Sequence, residues 1–245
     1  MRARSAGPLA PLLMAALLAG CASDAPTDRG QVRAAPAHQS ELAQSELNRA
    51  ATLAMRDNLH SLMLLADKLY RRNPGQWRAG GHASRELALQ RLQQALDLRE
   101  PWPALLGRRD IAAMALAMAP EFTGDRVAAF ILASADMLIT AHGGKTSFYL
   151  LDHLDAQRIY NAARNIETAA WILAQRRDAR GHALLLADEI AADGTRNLSF
   201  EREFGKIIGR LDLLAELSDE RMRRAAINWV QGVLGAGLLQ FLPVK

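Results

Sequence analysis

The sequence predicts an all-α protein, a multi-helix bundle of about seven or eight helices that follows a signal peptide and a flexible tether. Two observations carry this prediction. Apolar residues recur at three- and four-residue steps in nearly every segment after Ser40, and no run shows the convincing alternation of a half-buried strand. Half of the 245 residues are hydrophobic, which is enough to bury a sizeable core. Short loops between amphipathic helices favour a bundle.

The first predicted helix covers residues 41–72, whose leucines and alanines form one apolar stripe. An Asn-Pro-Gly sequence at residues 73–75 ends it. Ser84 is predicted to cap a second helix over residues 86–98, because a serine hydroxyl can accept a bond from a free N–H of the first turn. Pro101 then marks a break.

The central part of the chain is predicted to hold three helices. A short one covers residues 108–118, and Thr123 caps the next, which ends at Gly143 and Gly144. A long helix then covers residues 148–177, where isoleucines, leucines and alanines share one side.

Three more helices are predicted towards the C-terminus. The weakest pattern covers residues 182–191. Ser199 caps a helix over residues 200–217, and Ser218 caps a final helix over residues 219–240. Residues 225–244 carry no charge, but Asn228 and several glycines lower their hydropathy. We expect this stretch to be a buried bundle helix, rather than a membrane-touching helix or a true span.

The N-terminus has the order of a secretory signal. Arg2 and Arg4 give a basic start, residues 9–18 form an apolar run, and small side chains follow at Ala19 and Gly20. The apolar run is shorter than the roughly 20 residues that a membrane span needs. We therefore assign residues 1–20 to a signal peptide.

The end of this signal, Leu18-Ala19-Gly20-Cys21, resembles the lipobox of bacterial lipoprotein precursors, and Cys21 is the only cysteine in the chain. The resemblance implies that Leu18, Ala19 and Gly20 form the recognition context of the signal peptidase. It also implies that Cys21 receives a diacylglyceryl group, that the chain is cut before Cys21, and that the new amine is acylated. The alternatives are a chance cysteine after an ordinary signal and a mitochondrial-type presequence.

Residues 21–40 are predicted to be the lipidated cysteine and a flexible tether, because they mix Pro, Ala, Asp, Gln and Gly without a hydrophobic period. Residues 41–245 form the helical domain. In the lipoprotein class, an Asp directly after the lipidated cysteine retains the protein in the inner membrane. Ala22 occupies that position, which favours attachment to the periplasmic face of the outer membrane, although Asp24 lies close by.

Composition excludes several kinds of function. The formal net charge of +4 falls to +2 when residues 1–20 are removed, because they carry two arginines and no acid. Such a balance gives no electrostatic footprint for nucleic acid. One cysteine cannot form an intramolecular disulfide framework or a Cys-rich zinc site. We expect no cofactor and no metal, and we expect two partners: a membrane, through the lipid on Cys21, and an envelope protein.

Few residues suggest catalysis. Residues 143–146 contain the Gly-Lys-Thr of a phosphate loop, but Ile139 stands where that loop needs its first glycine, so an ordinary helix end is expected. The six histidines lack metal-ligand spacing. Asp136 interrupts the otherwise uncharged residues 127–141. It either faces the core with a partner such as an arginine or points outward.

The sequence therefore favours an outer-membrane lipoprotein that acts as a non-catalytic binding or envelope-assembly component. The alternative is a membrane-active or pore-associated protein that uses the apolar segments 127–141 and 225–244. A third hypothesis is an enzyme that acts on envelope polymers through carboxylates such as Asp136, together with His153. It requires a cleft that joins the two side chains.

Overall fold

The computed structural model describes residues 39–188, 194 and 197–239, with side chains as far as Val233. Within these residues the protein is an all-α bundle, as predicted. The described residues form two 3-10 helices, Gln39–Ala43 and Pro103–Leu105, and seven α-helices: α1 Glu46–Arg72, α2 Pro74–Ala79, α3 Arg85–Leu98, α4 Asp110–Ala117, α5 Arg126–Ala141, α6 Ala156–Gln175 and α7 Ser199–Leu239. Cys21, Leu18, Ala19 and Gly20 lie outside the described residues.

Helix α5 is the central helix of the bundle. All its side chains from residue 126 to residue 139 are buried except Asp136. Helices α1, α3, α4 and α6 pack around it, and the ring of Phe130 meets Phe204 of α7 edge to face, with the ring centroids 6.4 Å apart. The apolar segment that one functional hypothesis assigned to lipid contact is thus the centre of the core.

Helices α1 and α7 run antiparallel. Near the start of α7, Lys68 Nζ donates a hydrogen bond to the carbonyl oxygen of Ser199 at 2.8 Å. Further along α7, Arg210 Nη1 donates to Asn58 Oδ1 at 3.1 Å. Helix α6 also runs antiparallel to α7, because Arg164 Nη2 donates to Asp212 at 2.9 Å, and Leu154, just before α6, lines a cavity with Ser218 and Arg221 of α7. Because both neighbours run this way, α1 and α6 begin at about the level of residue 220 of α7.

Of the four predicted N-caps, Ser84 is correct, Thr123 and Ser218 are wrong, and Ser199 is the first residue of α7. Ser84 Oγ accepts from the N–H of Leu87 at 3.2 Å and caps α3 as predicted. The predicted cap Thr123 was wrong, because Asp125 accepts from the N–H of Ala128 at 2.9 Å and begins α5. Both residue types cap well, so the sequence did not distinguish them. The short helix α2 was missed, because Pro74 was interpreted as a stop and instead starts it.

The predicted break at Ser218 was wrong. Residues 199–239 form one continuous helix, and Ser218 lies buried inside it. Its hydroxyl donates to the carbonyl oxygen of Leu214 at 2.7 Å. A serine in a helix interior satisfies its hydroxyl in this way and does not cap anything.

The predicted start of the long helix over residues 148–177 was also wrong. Helix α6 begins at Ala156, after Asp155 as its N-cap, and the preceding residues form a loop. Gln44 Nε2 donates to the carbonyl oxygen of Phe148 at 2.8 Å, and the amide of the buried Asn48 donates to that of Tyr149. These side-chain donors satisfy loop carbonyls that a helix would have used itself, so they stabilise the loop.

A helix with a weak pattern was predicted over residues 182–191. The described residues of this range, 182–188, do not form it. Residues 182–188 are irregular, with an isolated bridge between Arg177 and Ala183. The N–H of Leu186 donates to Asn73 Oδ1 at 2.8 Å, which holds this segment against the end of α1. Residues 189–191 lie outside the described part of the chain.

Candidate interaction surface

Beyond Ser218, helix α7 leaves the bundle. We name residues 219–239 the projecting segment; at 1.5 Å per residue it is about 32 Å long. All its described side chains from Arg221 to Val233 are exposed except Ile227, which is half-buried. The expectation that residues 225–244 form a buried helix was therefore wrong for residues 225–233, and the later side chains lie outside the described part. The physical reason is that α1 and α6 both begin at about the level of residue 220 of α7. Beyond that level they provide no surface against which α7 could pack.

One apolar stripe runs along both halves of α7. With 3.6 residues per turn, the same face carries the buried side chains of the packed half and the exposed ones of the projecting segment. These are Phe204, Leu211 and Ala215, followed by Met222, Ala226, Trp229 and Val233. The exposed fraction is 55% for Met222, 71% for Trp229 and 54% for Val233. The core-facing surface of α7 thus continues past the core, where Met222, Trp229 and Val233 are each more than half exposed.

More exposed apolar side chains lie at the end of the bundle from which the projecting segment leaves. Leu42 in the first 3-10 helix is 89% exposed, and Leu151 in the loop before α6 is 99% exposed, with Leu150 beside it at 56%. The N–H of Leu150 donates to the carbonyl oxygen of Ala43 at 2.8 Å, which joins the two segments. We name Leu42, Leu150 and Leu151 the apolar end.

A cavity of about 230 Å³ lies where the projecting segment begins. Its lining includes Leu47 of α1, His153 and Leu154 of the loop before α6, and Met222 and Ala225 of α7. It is smaller than the pockets that hold most organic ligands. Its walls show that the start of α1, the loop before α6 and the base of the projecting segment meet at one place.

The charged residues at the base of the projecting segment form a local network. The Arg223 guanidinium donates to both carboxylate oxygens of Glu220 at 2.6 Å, and Arg224 Nε donates to one of them at 3.0 Å. These bonds lower the pKa of Glu220 to about 2. From residue 221 to residue 245 the sequence has four basic side chains and no acidic one.

Asp136 has the arginine partner that the sequence analysis considered. Arg109 Nη2 donates to Asp136 Oδ1 at 2.6 Å, and the backbone N–H of Asp110 donates to Oδ2 at 3.0 Å. Burial, and then the charge of Asp136, raise the pKa of Asp110. The cluster joins the start of α4 to α5, so it holds two helices together.

The two side chains of the enzymatic hypothesis, Asp136 and His153, have separate contacts. His153 borders the cavity beside α7, whereas Asp136 is bonded by Arg109 and by the N–H of Asp110, and neither of these residues lines the cavity. Residues 143 and 144 end α5 with positive φ angles of 68° and 77°, which confirms the expected helix end. The described part of the chain contains no group of three or more His, Cys, Asp or Glu side chains placed to hold a metal.

Sequence reasoning missed the exposure of the projecting segment and of the apolar end. The available signals were the uncharged residues 225–244 and the adjacent pair Leu150 and Leu151. Among the described helices, none is both long and apolar enough to cross a bilayer. Comparisons of the chain with protein-family models, with curated proteins and with solved structures found no match.

Proposed function

We propose that the protein is a bacterial envelope lipoprotein, anchored through Cys21 to the periplasmic face of the outer membrane, and that its helical body is a non-catalytic binding or assembly component. The support for the anchor is the Leu18-Ala19-Gly20-Cys21 sequence after an apolar run, with no other cysteine in the chain. Several acyl chains on one residue give stable attachment, whereas a single chain binds only marginally.

The observation that carries the binding role is the exposed stripe of the projecting segment. A long helix that leaves Trp229 and Val233 in water loses the free energy that burial of these side chains would provide. Contiguous exposed apolar surface of this kind is typical of an interaction site. The apolar end, with Leu42 and Leu151, enlarges the same surface.

The membrane-active alternative depends on the projecting segment alone, since residues 127–141 form the centre of the bundle. The enzymatic alternative has less support. Asp136 is held by Arg109 and by a backbone N–H, and its contacts do not extend to His153. A carboxylate held in this way is suited to joining helices.

The anchor is tested by the intact mass of protein extracted from membranes. Native protein should have the mass of residues 21–245 plus acyl groups, and it should fractionate with the outer membrane. Cys21→Ser should accumulate as the uncut precursor, because the thiol that forms the thioether is missing. Ala22→Ser is the matched control, and it should be processed as the native chain is. Normal cleavage and membrane retention of Cys21→Ser would contradict the proposal.

A further inference from the structure

We propose that the projecting segment and the apolar end bind the phospholipid surface that receives the acyl chains of Cys21. The helical body then has two attachments to one membrane, a covalent lipid and an apolar protein surface. The inference rests on the proposed function for the position of the membrane. Three observations support it: where the N-terminal chain joins the body, how the exposed apolar side chains are distributed, and which charges accompany them.

The chain that precedes the described residues joins the body at the end that carries the projecting segment. The 3-10 helix Gln39–Ala43 is fixed there, since Glu41 forms an ion pair with Arg49 at 2.7 Å and Ala43 binds the loop before α6. Cys21 precedes Gln39 by 18 positions. Even a fully extended chain of that length spans only about 60 Å. An acyl group on Cys21 therefore keeps this end of the bundle within about 60 Å of the lipid surface.

The exposed apolar side chains at this end of the bundle come from three separate segments. Leu42, Leu151 and Trp229 belong to the first 3-10 helix, the loop before α6 and the projecting segment. A second copy that paired along the stripe would bury Trp229, and it would need further contacts to cover the two leucines. A lipid surface is continuous and can take up all three. Tryptophan is also the side chain most typical of the boundary between acyl chains and headgroups.

The charges of the projecting segment fit a phospholipid surface. Arg221, Arg223 and Arg224 lie at its base, directly after Asp219 and Glu220, and no acidic residue follows them in the sequence. The nearest carboxylate, that of Glu220, is bonded by two of these arginines. Basic residues at the end of an apolar helical face are attracted to anionic headgroups while the apolar face enters the acyl boundary.

The experiment uses full-length native protein with one added cysteine, labelled with an environment-sensitive fluorophore and reconstituted into vesicles. The vesicles contain phosphatidylethanolamine and phosphatidylglycerol, with or without a nitroxide-labelled lipid as quencher. Val233→Cys reports on the stripe and Leu151→Cys on the apolar end. Leu213→Cys is the matched control, because Leu213 is 57% exposed on the side of α7 that faces away from the bundle.

We expect the labels at positions 233 and 151 to shift to shorter emission wavelengths, and the nitroxide lipid to quench them at least twofold more than the label at position 213. Equal quenching at all three positions would overturn the inference. Shielding of position 233 alone, dependent on the protein-to-lipid ratio, would also overturn it in favour of a paired second copy.

The native chain, labelled in parallel, separates this inference from the proposed anchor. If Cys21 carries the acyl thioether, the native chain takes up no label. Uptake of label at Cys21 would contradict the anchor. In that case each variant carries two labels, one at Cys21 and one at position 233 or 151, and the native chain labelled at Cys21 alone is the reference. Stronger quenching of the variants than of this reference would still support lipid contact by positions 233 and 151.

Discussion

The packed half of α7 and its projecting segment share one helix and one apolar stripe but differ in their surroundings. Along residues 199–218 the stripe is covered by α1, α5 and α6, and Phe204 is 1% exposed. Along residues 219–233 the stripe continues in register, yet Trp229 is 71% exposed. Hydrophobic periodicity therefore identifies the apolar face of a helix, while the lengths of the neighbouring helices decide whether that face is buried.

Truncation of one aromatic side chain in each half gives the largest expected contrast. Phe204→Ala should lower the free energy of unfolding by about 3–5 kcal/mol, because it opens a cavity beside Phe130. Trp229→Ala should change it by less than about 0.5 kcal/mol, since no described residue covers that side chain. Urea unfolding of the two variants, followed by circular dichroism, measures both values.

Similar losses of unfolding free energy from Phe204→Ala and Trp229→Ala would contradict the expected contrast between the two halves of α7. They would mean that a partner surface, such as a second copy in solution, covers Trp229 during the measurement. Repeating the unfolding at several protein concentrations separates the two cases, because stabilisation by association depends on concentration. The contrast between Phe204 and Trp229 should hold at every concentration if the projecting segment is free in water.

The fold could largely be predicted from the sequence, because its helices carry strong local signals. The cap Ser84 and the glycines at positions 143 and 144 act through neighbouring backbone groups, so their effect is visible in the sequence. The loop before α6 could not be predicted in this way. It depends on Gln44 and Asn48, which lie about a hundred residues away in sequence and donate to its carbonyl oxygens.

The candidate surface was predicted less well than the fold. Residues 225–244 were recognised as an uncharged apolar stretch, but the sequence did not show that α1 and α6 both end their contact near residue 220. Leu42 and Leu151 looked like ordinary apolar positions because exposure depends on tertiary neighbours. The anchor at Cys21 stays a prediction from a local motif.

Two carboxyl groups extend the comparison to charged residues. Asp125 lies buried in the body, where Tyr70 Oη donates to its Oδ2 at 2.5 Å, and burial raises the pKa of Asp125. Glu220 lies at the base of the projecting segment, where Arg223 and Arg224 lower its pKa to about 2. Asp125 therefore contributes stability that is full below its ordinary pKa of 3.8 and is lost as the pH rises through its raised folded value. Glu220 contributes stability that is present above its ordinary pKa of 4.5 and is lost as the pH falls towards 2.

Removal of the phenol hydroxyl tests the buried group. Tyr70→Phe should lower the free energy of unfolding by about 1–3 kcal/mol at pH 7, because a buried carboxylate oxygen loses its donor. This loss of unfolding free energy should be smaller at pH 3, where more of the Asp125 carboxyl is protonated in both the folded and the unfolded protein. Tyr149→Phe is the matched control, and it should have little effect because Tyr149 is 42% exposed, whereas Tyr70 is 1% exposed. A loss for Tyr70→Phe that does not change between pH 3 and pH 7 would contradict the assignment to Asp125.

The smallest expected effect tests whether the two halves of α7 unfold together. Gly209 and Gly232 both lie in the helix, and an added Cβ would meet no atom within 4 Å at either position. Gly209→Ala should raise the free energy of unfolding by about 0.5–1 kcal/mol, because alanine loses less backbone entropy in a helix. Gly232→Ala should leave the global free energy of unfolding unchanged and slow amide exchange only in the projecting segment, since local opening there does not require the core to open.

Gly143→Ala is the control for backbone strain, and it should destabilise the protein because φ is 68° at that position. An equal global gain from Gly209→Ala and Gly232→Ala would mean that the projecting segment unfolds as one unit with the bundle, although its side chains from Arg221 to Val233 are exposed except for the half-buried Ile227.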